Sequence, residues 1–298
     1  MQEACVDWDK LRVFHAVAEA GSFTHAGDVL NLSQSAVSRQ ISALEDVLQV
    51  PLFHRHARGL ILTEQGETLH KTVREVFSKL EMTQTLLTES KEKAAGRLRV
   101  TTTTGFGNCW LMPRLHRFMA DNPEIDICLI LEDNDLDLGM READVAVRMH
   151  APRQPDLIQR HLADFSLPIF AAPLYIEKYG MPKSLEEIKE HQLVLFGEHH
   201  PPVAHVNWLA QACRNDGSTQ IARLEVNSMA AMASAIAAGL GIGSIPTYAA
   251  KEFPDLVQIL PEITTPTVDA YFVYPEELRS SKRVAVFRDF LMSELGIR

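Results

Sequence analysis

The stretch that decides the fold is residues 23–66, FTHAGDVLNLSQSAVSRQISALEDVLQVPLFHRHARGLILTEQG. Its middle reads as a helix. Ser33 is a strong N-cap, because its hydroxyl can accept a bond from an unpaired first-turn amide. Beyond it Ala36, Val37, Ile41, Leu44 and Leu48 recur at helical spacing and form one apolar stripe. Ser35, Ser38, Arg39 and Ser42 fall off that stripe. Small hydroxyls around a single arginine make a low polar face. Such a face enters a DNA major groove without obstruction. It is also what the solvated side of a helix in a plain three-helix core presents.

The flanks favour the first alternative. Upstream, Leu11, Phe14, His15, Val17 and Ala18 follow helical spacing within Lys10–Ala20, which Gly21 stops, and a short helix spans Thr24–Leu30 before Asn31. Downstream, Pro51-Leu52-Phe53 leads through His54-Arg55-His56-Ala57-Arg58-Gly59 into Leu60-Ile61-Leu62-Thr63. Two short runs around a glycine-containing turn read as a β-hairpin. Its strands would expose Arg55 and Arg58 beside His54 and His56, a basic wing next to the third helix.

Net charge does not help. The chain carries −10 overall, and residues 1–66 hold five basic against eight acidic side chains, a balance of −3. Phosphate contacts need positive charge at the contact, not on average. The local clustering of Arg39, Arg55 and Arg58 therefore carries the reading.

Taken in order, Phe23-Thr24-His25-Ala26, Leu30 through Ile41, Leu44-Glu45, Pro51 through Arg55 and Leu62-Thr63-Glu64-Gln65-Gly66 resemble the LysR-type transcriptional regulator family. The length and order of the remainder fit that family across essentially the whole chain. The resemblance implies a multidomain fold. An all-α winged helix-turn-helix DNA-binding domain occupies 8–66, and a linker and dimerisation helix 67–93. An α/β two-lobed, periplasmic-binding-protein-like effector domain occupies 94–298, with lobe I at 94–162 and 269–298 and lobe II at 163–268. It also implies that Ser33, Gln34, Ser38 and Arg39 carry base and phosphate contacts and that Arg55, Arg58 and Thr63 belong to the wing. Ser35 and Ser42, on the same polar face, join the DNA-binding candidates. One departure stands out: the family has glycine where Gln49 closes the recognition helix. Gln49 must take the left-handed cap at some cost, or the helix ends differently.

Residues 64–93 form one long helical pattern, and Thr63 can cap its start. Leu69, Val73, Val76, Phe77, Leu80, Thr83 and Leu87 make a narrow stripe. A stripe this narrow pairs with a partner helix or packs on its own domain. The resemblance implies pairing, hence a homodimer or homotetramer presenting two recognition helices to a two-fold DNA site.

From Arg97 the texture alternates strand and helix, as in an α/β domain. Arg97–Val100 is a predicted strand, followed by Thr101-Thr102-Thr103-Thr104-Gly105 and a helix containing Leu111, Leu115 and Phe118. A hydroxyl-rich loop at a helix N-terminus binds carboxylates or other anions, or simply caps the helix. The resemblance places this loop in the effector cleft. It makes Thr102, Thr103 and Thr104 the first site candidates, with Asn134, Phe196, Asn227 and Ser228, and a small-molecule, anionic effector. Arg148, at the end of the predicted strand Val145–Arg148, balances such a ligand or pairs with a nearby carboxylate. The glycines of Gly239-Leu240-Gly241-Ile242-Gly243 follow a helix and lack a lysine, which excludes a phosphate-binding loop.

An enzyme acting on a small carboxylate is the competing class. The chain has twelve histidines, but His199, His200 and His205 sit among prolines, and no Ser/His/Asp set has supporting context. Cys5, Cys109, Cys128 and Cys213 show neither CxxC nor metal-ligand spacing. No cofactor and no metal site is expected. Cys109, near a helix start, reads first as a buried free cysteine, with a redox thiol as the competing reading. The acidic first residues lack an apolar signal core and no run is long enough to span a bilayer. A cytoplasmic protein without membrane contact is therefore expected.

Overall fold

A computed structural model describes residues 7–56, 59–88, 94–152, 154, 156–197, 205–213 and 222–297. Arg58, His199 and His200 lie outside them, as do the side chains of Arg55, Thr83 and Leu87. The chain divides into two compact units between Thr88 and Glu89.

The first unit packs three helices, a hairpin and a long helix: α1 (Trp8–Ala20), α2 (Phe23–Leu30), α3 (Gln34–Leu48), β1 (Phe53–His56), β2 (Gly59–Leu62) and α4 (Glu64–Thr88). Each short helix stops where its sequence says it should. Gly21 and Asn31 adopt left-handed φ of 60° and 55° and turn the chain. The α2–α3 turn is tight because Gly27 has no side chain. A Cβ there would stand 2.6 Å from the Leu32 carbonyl oxygen. Val13, Phe14, Val17, Val37, Ile41, Leu44 and Leu52 form the buried core. Each such side chain contributes about 1.5–3 kcal/mol on leaving water. Phe14 and Phe53 pack at 5.4 Å and bind the hairpin to that core.

The long helix resolves its stripe in two ways. Val73 is buried, and Phe77 stacks on Trp8 at 4.7 Å and on His15 at 5.0 Å, so this part packs on its own unit. Val76 and Leu80 stay 40% and 50% exposed.

The second unit runs β3 (Gly96–Thr102), α5 (Thr104–Phe106), a π-helical turn (Gly107–Leu111), α6 (Met112–Asp121), β4 (Ile125–Leu131), β5 (Val145–Arg148), β6 (Leu157–Ser166) and β7 (Ile169–Ala171). Next come α7 (Pro173–Tyr179), β8 (Val194–Phe196), α8 (Trp208–Ala212), β9 (Leu224–Val226), α9 (Met229–Ala237), β10 (Gly243–Ser244), α10 (Thr247–Ala250), β11 (Val257–Ile259), β12 (Thr267–Pro275) and α11 (Lys282–Glu294). One sheet has the order β4-β3-β5-β12-β6, with β3 parallel to β4 and β5 and β12 antiparallel to β5 and β6. A second sheet has the order β10-β7-β11, and β8 pairs with β9 in parallel. The lobe limits expected near 162 and 269 fall inside β6 and β12. These strands pair from Leu157–Pro275 to Ser166–Thr267 and lead the chain between the sheets.

The glycines after α9 are packing residues. A Cβ on Gly241 would meet the Gln192 carbonyl oxygen at 2.6 Å, and one on Gly243 the Ile236 side chain at 2.5 Å. No helix among the described residues is long and apolar enough to cross a membrane.

Candidate functional site

On α3, Gln34, Ser35, Ser38, Arg39 and Ser42 project within a sector of about 140°, opposite the buried residues, because successive residues turn by about 100°. Gln34, Ser35 and Arg39 are exposed and Ser38 and Ser42 half-buried. Ser33 caps the helix, its Oγ accepting from the Ala36 amide at 3.2 Å and lying 3.1 Å from the Ser35 Oγ. This is a capped polar face that carries Arg39 as its cation, set on the core of the first unit.

Gln49 does take the left-handed cap, with φ 57° and ψ 28°. Its Nε2 donates to the Asp46 carbonyl, which recovers part of the strain. The chain then enters the hairpin under a second restraint that the sequence reading missed. Glu45 reaches back from α3, and its Oε1 accepts from the Leu52 amide at 2.7 Å and the Phe53 amide at 3.4 Å. The hairpin register pairs Phe53 with Leu62 and His56 with Gly59, and exposes His54.

Thr63 requires a correction. Expected among the DNA contacts, it is 4% exposed. Its Oγ1 donates to the Pro51 carbonyl at 2.8 Å and accepts from the Gly66 amide at 3.0 Å. It locks the two ends of the hairpin and caps α4, so its hydroxyl is spent on positioning the wing. Gly66 is required there, because a Cβ would stand 2.1 Å from the Leu52 carbonyl oxygen.

In the second unit the threonine loop and the Asn227–Ser228 junction meet. A Cβ on Gly105 would lie 2.6 Å from the Met229 Cβ, so the starts of α5 and α9 are in contact. Thr103 caps α5, accepting from the Phe106 amide at 3.4 Å, and Ser228 caps α9, accepting from the Ala231 amide at 3.4 Å. Beneath them Phe106, Trp110, Phe165 and Tyr248 stack edge and face at 4.8–6.0 Å. Burial holds the Tyr248 phenol well above its usual range.

The loop does bind a carboxylate, and it is the protein's own. Asp133 accepts from the Thr104 amide at 2.9 Å and from the Thr104 hydroxyl at 2.9 and 3.1 Å. Thr102 is 3% exposed and its hydroxyl donates to the Val147 carbonyl at 3.0 Å. The small pocket over this loop is lined by Thr101–Thr103, Glu132, Asn134 and Asp135, with Arg148 and His150 opposite. Arg148, 4% exposed, pairs with Asp135 at 2.8 Å and donates to the Leu136 carbonyl at 2.6 Å. Burial lowers its pKa. His150 sits 3.3 Å from Asp135, whose hydrogen bond raises the imidazole pKa. The second reading of Arg148, a partner for a neighbouring carboxylate, is the one realised.

Phe196 is a further correction, while Cys109 takes its buried reading. Phe196 is 2% exposed, inside the core, and only its backbone is engaged: Asn207 accepts from its amide at 2.9 Å and donates to its carbonyl at 2.8 Å. Cys109 is 6% exposed within the π-helical turn, and burial pushes its thiol up, away from thiolate. Asn134 and Asn227 are exposed. Asp133, Asp135, His150 and Tyr248 were missed. An acidic run at 132–137 followed by Arg148 hinted at the two aspartates, and nothing in the sequence pointed to Tyr248.

Residues 8–67 match the model of the bacterial regulatory helix-turn-helix protein, lysR family, and residues 91–296 that of the LysR substrate binding domain. Among curated relatives, the uncharacterised transcriptional regulator YhjC of Escherichia coli K12 is 31% identical over 290 residues, 94% of this chain and 95% of that protein. Among solved structures, the LysR-type regulator CrgA of Neisseria meningitidis aligns with a TM-score of 0.61 and 28% identity over 97% of this chain and 99% of that one. The full-length Vibrio cholerae virulence activator AphB aligns with a TM-score of 0.61 and 28% identity over 96% of this chain and 99% of that one. Those relatives are regulators and not enzymes, which removes the competing class. The polar face of α3, the hairpin that follows it and an α/β second unit occur in one chain for one reason: the chain is a member of the LysR family of DNA-binding transcriptional regulators.

Proposed function

We propose that a homodimer or homotetramer reads a two-fold promoter site through Ser33, Gln34, Ser35, Ser38, Arg39 and Ser42, with Arg55 and Arg58 on the flanking backbone. It acts in the cytoplasm, where its target DNA resides. The observation that carries this is the exposed polar sector of α3, rigidly capped at Ser33 and tied to the hairpin by Glu45. Val76 and Leu80, exposed on α4, supply apolar surface for a second copy. The division into 8–66, 67–93 and 94–298 follows from the same reading.

The effector enters where α5 and α9 meet, against Thr103, Asn134, Asn227 and Ser228. An anion is disfavoured there. The donors of Thr104 already hold Asp133, Arg148 already holds Asp135, and Glu132 adds a third carboxylate. A neutral or cationic molecule rich in hydrogen-bond donors suits this pocket. Gating by Cys109 oxidation is weaker still, since reactive thiols need exposure and a lowered pKa.

The test is selection of binding sites from random DNA by the full-length protein, repeated with small molecules grouped by charge. A recovered palindromic sequence whose affinity responds to cationic or neutral compounds supports the reading. Recovery of no sequence preference contradicts its first half, and a response confined to carboxylates contradicts its second.

A further inference from the structure

We propose that His15, Glu19 and His70 form a binding site for a zinc-like divalent metal ion that ties α1 to α4. His15 and Glu19 stand one turn apart on α1 and so share a face. His70 meets them from α4, its Nε2 3.1 Å from the Glu19 Oε1. One ligand atom from each of the three lies within 4.8 Å of the others. Ligands around tetrahedral zinc stand about 3.3–3.6 Å apart, given metal–ligand bonds of about 2.0–2.2 Å. A small side-chain adjustment therefore closes the site.

The surroundings suit a metal. The two imidazole rings lie 5.6 Å apart between centroids, tilted by 31°. Phe77 stacks flat on the His15 ring, with 12° between planes, and Phe14 meets the His70 ring edge-on at 6.3 Å, so both ligand planes are held. The His70 side chain is 19% exposed and Glu19 54% exposed. The carboxylate side is open, which gives an ion a path in and leaves room for water as the fourth ligand. Two imidazoles with one carboxylate favour zinc, nickel or copper over magnesium or calcium. No short motif announces the site, because His70 lies 51 residues from Glu19. A second group, His161, Asp164 and Asp269, is fully on the surface and poorer in nitrogen, and it serves as the control.

Tag-free full-length protein is titrated with cobalt(II), then zinc. One cobalt ion per chain is expected, with the visible bands of a four-coordinate ion that zinc displaces. Affinity is expected to fall more than about tenfold in Glu19→Gln and in His70→Gln, and to stay unchanged in His161→Gln. Glu19 is exposed, so Glu19→Gln decides the matter if His70→Gln fails to fold. The proposal is overturned by wild-type protein that takes up no stoichiometric ion. It is equally overturned by binding that survives Glu19→Gln or disappears with His161→Gln.

Discussion

The Glu45 carboxylate, on the recognition helix, accepts a 2.7 Å hydrogen bond from the backbone amide of Leu52, at the foot of the wing. One side chain thus ties α3 to the hairpin, the two parts proposed to meet DNA. Leu52 is fully buried, so its amide has no water to turn to. Glu45→Ala is expected to cost about 1–3 kcal/mol of stability through the orphaned donor and to weaken DNA binding besides. Glu45→Gln, which keeps an acceptor, is expected to lose less on both counts. Urea unfolding and a DNA titration measure the two effects side by side.

Gln49 holds a left-handed φ of 57° that costs a residue with a Cβ about 1 kcal/mol. Its compensating bond to the Asp46 carbonyl is solvent-exposed and weak. Gln49→Gly is expected to stabilise the first unit by about 0.5–1 kcal/mol, seen as a higher urea midpoint with an unchanged slope.

Gly105→Ala places a methyl 2.6 Å from the Met229 Cβ. Overpacking of this kind costs about 1–3 kcal/mol, and here it pushes apart the starts of α5 and α9, where the effector is proposed to enter. The expected result is an altered or abolished effector response with the unliganded footprint retained.

His150 gives a pH signature. Its hydrogen bond to Asp135 raises the folded pKa above the ordinary value of 6.5. A raised folded pKa means that the pair stabilises the fold fully below about pH 6.5 and loses that contribution as pH climbs through the higher folded value. The second unit is therefore expected to become slightly less stable from pH 6.5 upward, and Asp135→Asn to flatten that dependence. His150 is more than a third exposed, so the change is small. Thermal melts across pH 6–8.5 read it directly.

The helix-turn-helix was legible because its devices are local: caps at Ser33 and Gly21, an apolar stripe along α3, and a turn between two short strands. Thr63 was half legible. Its capping role follows from position, but its burial depends on Pro51 and Gly66 closing over it. The partner of the threonine loop was least legible. A threonine run at a helix start signals an anion site, yet whether the anion is a ligand or Asp133 is decided by how β4 delivers its following loop. Phe196 failed for a related reason. Its place at the end of a strand is correct, but the ring turns into the core while Asn207 takes the backbone.

The central claim is that the exposed face of α3 reads base edges. It is tested most directly by comparing wild type and Arg39→Ala on a site selected by the wild-type protein, at fixed salt. Arg39→Ala is expected to lose about 1–3 kcal/mol on that site and to relax preference at one base position per half-site, while keeping the fold. Unchanged affinity and unchanged base preference in Arg39→Ala would contradict the account.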